Sequence, residues 1–240
     1  MERRIVSEHI HAAVFCSPHN PCGRVWERWE VERYMELMKK HNVYVVSDEI
    51  WSDIILAGNK HVPTQSVSED ARQRTAALYA PSKTFNLAGL VGSYHVIYND
   101  WLRERVEKES SLAHYNEMNV LSMHALIGAY GEEGQEWLGE LLQVLTANAE
   151  LACNHIERRF EGVSVFRPQG TYMLFIDCTR WCAAHGVDIG ALIKRGWDVG
   201  VAWQDGRAFN GPCHIRMNLA LPRQRVQEAF ERLDKYVFNA

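Results

Sequence analysis

Short apolar runs alternate with segments whose apolar residues recur at helical spacing along the first hundred residues. Four of these runs predict strands, because turn-forming or polar residues bound each of them: 12–17, 43–47, 75–80 and 91–98. The segment at 27–42 has the spacing of a helix. This order predicts right-handed parallel crossovers, and hence an α/β sheet with helices on both sides. The β-branched run at 43–47 predicts a strand that is covered on both faces.

The pattern changes after residue 98. Long helical segments come first, and the last of them is long enough to bridge two domains. Short strands and a closing helix follow. The predicted elements are helices at 99–115, 116–130 and 132–160, strands at 163–166, 171–177, 198–203 and 214–220, and a helix at 222–238. We therefore divide the chain into a larger domain with a mostly parallel sheet, residues 1–150, and a smaller C-terminal α+β domain, residues 151–240.

Composition and charge exclude several classes of protein. The chain has 240 residues, 47% of them hydrophobic, and a formal net charge of −4 with both signs interspersed. No basic run indicates a nucleic-acid or membrane-surface partner. No apolar run approaches the roughly 18 residues that span a bilayer. Glu8, His9 and His11 interrupt the N-terminal apolar stretch, so we expect no signal peptide and a cytoplasmic protein.

The cysteines do not indicate a metal site. The sequence has 6 cysteines and no CxxC pair, although Cys178 and Cys182 are one helical turn apart. Reduced, buried thiols are the more common outcome in such a chain. His9 and His11 share one face of an extended segment, but two ligands do not complete a site. We expect no metal.

Polar residues follow three of the predicted strands directly. Asn20, Asp48 and Lys83 each come after a separate strand, in SPHNPCGRVW, SDEIWSD and APSKTFNLAG. Ligand groups of open α/β sheets cluster beyond the carboxyl ends of the strands. Each residue also has an ordinary explanation, namely a turn for Asn20, a helix N-cap for Asp48 and a solvated surface position for Lys83.

These residue types match the needs of a pyridoxal-type cofactor. Such a cofactor requires an amine for its aldehyde, a carboxylate against its ring nitrogen and a donor to its 3-oxygen. An amino-acid substrate also requires a guanidinium for its carboxylate. Lys83, Asp48, Asn20 and Arg216, the last in HIRMNLALPR, provide these groups in that order. Arg216 in a strand is alternatively a structural ion-pair partner.

The four motifs, taken in order, resemble those of fold-type-I pyridoxal-phosphate enzymes of the class I/II aminotransferase family. The residues and spacing of these motifs are most similar to those of the MalY/PatB branch, whose members are cystathionine β-lyase-like C–S lyases. The resemblance implies that Lys83 holds pyridoxal 5′-phosphate and then moves the α-proton of the substrate. It further implies that Asp48 pairs with the ring nitrogen, that Asn20 bonds the 3-oxygen and that Arg216 binds the substrate carboxylate. Ser82 is a weaker candidate for the cofactor phosphate.

The chain departs from the family pattern at two positions and in its length. The resemblance implies that Trp51 lies near the cofactor, at a position where the family usually has Tyr, or His in the C–S lyase branch. An indole N–H donates a hydrogen bond but cannot accept one. Val91 stands where many members have an arginine that binds the phosphate. Family members are also longer at the N-terminus, so the resemblance implies an N-terminally truncated enzyme.

The leading expectation is a C–S β-lyase that converts an amino acid to pyruvate, ammonia and a thiol. Transamination is the alternative, because it uses the same four groups. A second alternative is an inactive fragment that serves only for binding or dimerisation. The resemblance implies a small amino-acid substrate and a homodimer.

Overall fold

Residues 1–114 and 117–239 are described by the structure, which is a computed structural model. The chain divides into a first unit (Met1–Pro18, Val25–Ile55 and Asn59–Gly139) and a second unit (His19–Arg24, Leu56–Gly58 and Glu140–Ala240). The main division falls within one long helix. The domain boundary at residue 150, with its two domain assignments, stays a prediction. The predicted helices at 99–115 and 116–130 end or begin at Tyr115 and Asn116, which lie outside the described residues.

The first unit alternates strands and helices as predicted. Its second helix begins with a capping box, in which the Glu27 side chain accepts from the backbone of Glu30 and the Glu30 side chain accepts from the Glu27 amide. The elements, in chain order, are α1 (Glu2–Ser7), β1 (Ala12–Cys16), α2 (Arg28–Lys40), β2 (Tyr44–Asp48), α3 (Glu69–Arg74), β3 (Thr75–Tyr79), α4 (Pro81–Thr84), β4 (Tyr94–Val96), α5 (Asp100–Leu112), α6 (Val120–Ala129) and α7 (Glu132–Arg159), which continues into the second unit.

The sheet of the first unit has the order β1-β2-β3-β4. The first three strands are parallel, and their register aligns Cys16 with Asp48 and Asp48 with Leu78. The fourth strand is antiparallel to β3, so the predicted parallel crossovers hold from β1 to β3 but not at β4, and the sheet is mostly parallel, as predicted. A parallel return needs a crossover that runs back along the sheet. The connection from β3 to β4 contains only the short helix α4 and one 3₁₀ turn.

One face of this sheet is buried and the other is partly open. Val31, Met35 and Met38 of α2 pack against Val45 of β2 within a single hydrophobic cluster. On the opposite face Val46 is only half-buried, and Val14 of the edge strand is 75% exposed. The prediction that 43–47 is covered on both faces was therefore wrong for the described chain. An α/β sheet with mostly parallel strands is confirmed.

The second unit contains an antiparallel sheet with the order β5-β6-β8-β7. Helices α7 and α10 contribute Leu145, Ile156, Phe230 and Leu233 to the core of this unit, all of them fully or almost fully buried. The elements, in chain order, are β5 (Ser164–Val165), β6 (Met173–Asp177), α8 (Thr179–His185), α9 (Ile189–Asp198), β7 (Gln204–Asp205), β8 (His214–Asn218) and α10 (Arg223–Leu233).

The predicted strand at 198–203 was wrong, because Asp198 ends α9 and residues 199–203 form the turn and connection that follow it. Gly200 has a φ of +80°, which allows the chain to reverse. The amide of Val201 then donates to the carbonyl of Gly196 at 2.8 Å. The indole of Trp203 donates to the Ile193 carbonyl at 3.0 Å. The apolar side chains of this run therefore pack on α9 instead of pairing in the sheet.

Two further findings concern the described residues only. None of the described helices combines the length and the apolar character that crossing a bilayer requires. Within 1–114 and 117–239, no three His, Cys, Asp or Glu side chains are grouped so that they could bind a metal ion.

Candidate functional site

Asp48 is the last residue of β2, a central strand of the first sheet. Its backbone pairs in register with Cys16 on one side and Leu78 on the other. Its carboxylate is half-buried and accepts a hydrogen bond from the Ile50 amide at 3.2 Å. Trp51 lies in the turn that follows and is buried, with 4% of its surface exposed. The carboxylate of Asp48 thus stands at the carboxyl edge of the sheet.

Lys83 lies in the short helix α4, directly after the neighbouring strand β3. Pro81 and Ser82 precede it in this helix, and Pro81 occupies a position where its missing N–H costs nothing. Leu78, the register partner of Asp48, is five residues before Lys83. The structure therefore brings Asp48 and Lys83 to the same edge of one sheet.

Asp53 anchors the helix that carries Lys83. One of its carboxylate oxygens accepts hydrogen bonds from the Thr84 hydroxyl at 2.9 Å and from the Tyr130 hydroxyl at 3.0 Å. Burial and the negative charge of Asp53 raise the pKa of Tyr130, so its phenol remains a donor. The Phe85 ring meets the Tyr130 ring edge-on, with centroids 5.4 Å apart. These contacts fix the backbone on the C-terminal side of Lys83.

Glu49 lies at the centre of a buried hydrogen-bond network next to Asp48. Its Oε1 accepts from the Ser47 hydroxyl at 3.0 Å and from the Thr64 amide at 2.9 Å. Its Oε2 bonds His61 Nε2 at 2.8 Å and accepts from the Tyr79 hydroxyl at 3.0 Å. Because Tyr79 ends β3, this network ties the segment after β2 to the segment that leads to Lys83.

The network keeps Glu49 ionised although the side chain is fully buried. Burial alone raises the pKa of the carboxyl. The hydrogen bond and charge of His61, together with the donors of Thr64 and Ser47, outweigh burial and bring the pKa below its usual value. Glu49 is therefore a buried anion whose accepted hydrogen bonds stabilise its charge.

Asn20 and Arg216 belong to the second unit, where they contact each other. Nη1 of Arg216 donates to Oδ1 of Asn20 at a long 3.4 Å. The guanidinium also lies over the Phe209 ring, 4.9 Å from its centroid. Its Nε is buried and has no hydrogen-bond partner among the described residues. Burial lowers the pKa of Arg216, but a guanidinium remains protonated. Arg216 thus has one buried N–H donor that no described residue accepts.

A family model described as aminotransferase class I and II matches residues 2–233. The chain belongs to this family. It is 30% identical to cystathionine beta-lyase PatB of Bacillus subtilis (strain 168), a match that covers 97% of this chain and 60% of PatB. It is also 30% identical to the protein MalY of Escherichia coli (strain K12), with 95% of this chain and 57% of MalY covered. The resemblance to this family and branch is confirmed.

A solved structure shows the same fold. Cystalysin from Treponema denticola, whose crystal structure contains a pyridoxal 5′-phosphate cofactor, matches with a TM-score of 0.89 and 30% identity. The match covers 98% of this chain and 60% of cystalysin. The chain therefore has the fold of this aminotransferase family, and it spans about 60% of the length of the relatives that it matches.

The sequence patterns assigned no role to Glu49 or Asp53, although both carboxylates accept hydrogen bonds in the structure. Both lie in SDEIWSD, where three carboxylates follow a buried strand within six residues. Such a density of acids directly after an apolar run is the signal that could have identified them. Glu49 contacts Tyr79, and Asp53 contacts Thr84, so both acids act on the segment that carries Lys83.

Proposed function

We propose that this member of the aminotransferase family binds pyridoxal 5′-phosphate and cleaves the C–S bond of an amino-acid substrate by β-elimination. One observation supports the proposal above all: Asp48 pairs in register with Leu78, which is five residues before Lys83 on the neighbouring strand. The name of PatB and the cofactor of cystalysin support this choice of chemistry. The proposed products are pyruvate, ammonia and a thiol.

Each residue has a distinct proposed role. When bound, the cofactor accepts the electron pair that remains at the substrate α-carbon. Lys83 would hold the cofactor aldehyde through its amine, and it would then accept the α-proton of the substrate. Asp48 would keep a proton on the ring nitrogen. Asn20 would donate its amide N–H to the 3-oxygen, and Arg216 would bind the substrate carboxylate with its two-pronged guanidinium.

The residues present fit the ring of the cofactor better than its phosphate. Asp48 accepts a hydrogen bond from the Ile50 amide and retains further acceptor positions for a ring N–H. For the phosphate, Ser82 in α4 is the one candidate that the sequence offered. Val91 provides no donor side chain. Trp51 would contribute ring contact.

Transamination is the second candidate, and the family description favours it. The same lysine, carboxylate, amide and guanidinium serve both reactions. The difference lies in the fate of the electron pair. In the lyase this pair would expel a thiolate from the β-carbon, whereas in the transaminase it would take up a proton at a position other than the substrate α-carbon.

Absorbance of the purified chain tests cofactor binding. We expect a visible band when pyridoxal phosphate is added, and the loss of that band in Lys83→Ala. The matched control is Lys108→Ala, an exposed lysine on α5, which should keep the band. If no band forms at saturating cofactor, the 240-residue chain is not itself catalytic, and the proposed function is overturned in favour of a non-catalytic chain.

A product assay separates the two reactions. The chain is supplied with cystathionine or an S-substituted cysteine, without any keto-acid acceptor, and pyruvate is measured. Pyruvate in the wild type and none in Lys83→Ala supports the lyase. Turnover that strictly depends on an added keto acid supports the transaminase instead.

We further propose that a second copy of this chain is its protein partner and that the protein is cytoplasmic. Helix α6 supports the homodimer, because apolar residues of this short helix face solvent: Val120, Leu121, Met123 and Ile127 are 64%, 71%, 45% and 61% exposed. A helix that is apolar on all sides is normally buried. A self-complementary contact is the commonest way in which soluble proteins cover such a surface.

A further inference from the structure

The segment His19–Arg24 is a closed turn in the second unit. The amide of His19 donates to the Arg24 carbonyl at 2.8 Å, and the amide of Gly23 donates to the His19 carbonyl at 2.7 Å. Gly23 has a φ of +69°, and a Cβ added there would lie 2.5 Å from the Cβ of Pro168. The turn is therefore held in one conformation against a neighbouring backbone segment.

This turn brings a thiol and an imidazole into direct contact. Nδ1 of His19 lies 3.0 Å from Sγ of Cys22, and both side chains are half-buried. Burial raises the pKa of the Cys22 thiol, but the His19 hydrogen bond and the Arg24 backbone amide outweigh burial and lower that pKa below its ordinary value. The bond to Cys22 raises the pKa of His19, against the opposite effect of burial. Both shifts favour a thiolate beside an imidazolium.

The segment that packs against this turn contributes no ionisable side chain near His19 and Cys22. Pro168, Gln169 and Gly170, which contact Gly23, contain no titratable side chain. The guanidinium of Arg24 donates to Oε1 of Gln169 at 2.6 Å. His19 is therefore the charged partner that faces Cys22 in the turn.

Three other cysteines of the second unit lie in environments that raise the pKa of the thiol instead of lowering it. Burial raises the pKa of Cys153 to about 11 and that of Cys182 to about 12. Burial also raises the pKa of Cys178. A thiol that remains protonated is a poor nucleophile. Cys22 thus differs from these three residues in both exposure and charge.

We propose that Cys22, activated by His19, is a modification site of this chain that reacts with small electrophiles, and with hydroperoxides in particular. The Cys22 thiolate attacks one oxygen of the peroxide, an S–O bond forms and the O–O bond breaks. The sulfur is oxidised by two electrons to a sulfenic acid. The peroxide is reduced, and its second oxygen leaves as hydroxide from hydrogen peroxide, or as an alkoxide from an organic hydroperoxide, and takes up a proton.

Competitive alkylation of the full chain tests the proposal without reference to its enzymatic activity. The chain is treated briefly with iodoacetamide between pH 5 and pH 9, and each cysteine peptide is quantified by mass spectrometry. Cys213 is the internal control, because it is half-buried like Cys22. At pH 7 we expect Cys22 to react about tenfold faster than Cys213, as the larger thiolate fraction requires. Its rate should also level off at a lower pH.

The variant His19→Ala isolates the role of the imidazole. We expect the Cys22 rate at pH 7 to fall by about tenfold and its pH profile to move upward, while the Cys213 rate is unchanged. Hydrogen peroxide with dimedone as a trap should label Cys22 in the wild type and not in His19→Ala. Equal rates for Cys22 and Cys213 in the wild type would overturn the proposal. This result does not depend on whether the variant folds.

Discussion

The hydrogen bonds to the buried carboxylate of Glu49 allow a quantitative test of how much they stabilise the fold. The substitution Glu49→Gln preserves the shape of the side chain but removes its charge, and it replaces one acceptor oxygen with an NH₂ donor. In the wild type each oxygen has two hydrogen-bond partners, Ser47 and Thr64 on Oε1 and His61 and Tyr79 on Oε2. No orientation of the glutamine amide can satisfy both pairs as they stand.

The magnitude follows from the fate of each partner. If the NH₂ group of the glutamine takes the position of Oε1, the Thr64 amide loses its acceptor, because a backbone N–H can donate a hydrogen bond but cannot accept one. If the NH₂ group takes the position of Oε2, His61 Nε2 and the Tyr79 hydroxyl lose the carboxylate oxygen that they share. A buried donor without an acceptor costs about 1–3 kcal/mol. Each hydrogen bond whose acceptor changes from a carboxylate to a neutral amide oxygen weakens by about 1 kcal/mol. The easier burial of a neutral amide offsets part of this, so we expect a loss of about 2–4 kcal/mol.

Hydrogen exchange at the Thr64 amide measures this loss locally, and urea unfolding measures it globally. A loss of about 2–4 kcal/mol corresponds to roughly 30- to 700-fold faster exchange. The control is Glu36→Gln, which makes the same change at an exposed position of α2 and should stay within about 0.5 kcal/mol of the wild type. If Thr64 exchanges at the wild-type rate in Glu49→Gln, the network does not stabilise this segment and the reasoning is refuted.

The same network predicts a pH dependence with a definite sign. The pKa of Glu49 is lower in the folded chain than its ordinary value, so its contribution is fully present above the unfolded pKa of about 4.3. It is lost as the pH falls from there through the lower folded pKa. The difference in stability between wild type and Glu49→Gln should therefore be constant near neutral pH and shrink below about pH 4. A difference that grows on acidification contradicts this assignment.

Two further predictions concern the surface of the first unit. Val91 has a φ of +51°, a conformation that costs a β-branched residue about 1–2 kcal/mol, so Val91→Gly should raise the urea midpoint by an amount equivalent to about 0.5–1 kcal/mol. Val91→Ala retains the Cβ and should not reproduce that gain; equal effects of the two variants would contradict the strain. Leu121→Lys places a charge on the exposed apolar surface of α6, and sedimentation velocity should then show a shift from dimer to monomer at equal concentration. A wild-type chain that sediments as a monomer, or a dimer that Leu121→Lys leaves intact, rejects α6 as the interface.

The strands were predictable where an apolar run and its boundaries agreed. The runs at 43–47 and 75–80 became β2 and β3 with shifts of one residue at their ends. The direction of β4 was not predictable from its own residues, because it depends on the path of the connection before it. The strand prediction at 198–203 was wrong for another reason. Its apolar residues cover the helix that precedes them, and a short apolar run cannot by itself distinguish a strand from such a turn.

The position of Asp48 next to the Lys83 segment was predictable, because the carboxyl ends of parallel strands share one edge. The residues that fix this edge were not. Glu49 adjoins Asp48 in sequence, yet its carboxylate points to Tyr79, and Asp53 reaches Thr84, the neighbour of Lys83. Both acids link the segment after β2 to the segment after β3. A substitution at Glu49 or Asp53 should therefore disturb the position of Lys83 relative to Asp48 even though neither acid has a proposed role in the chemistry.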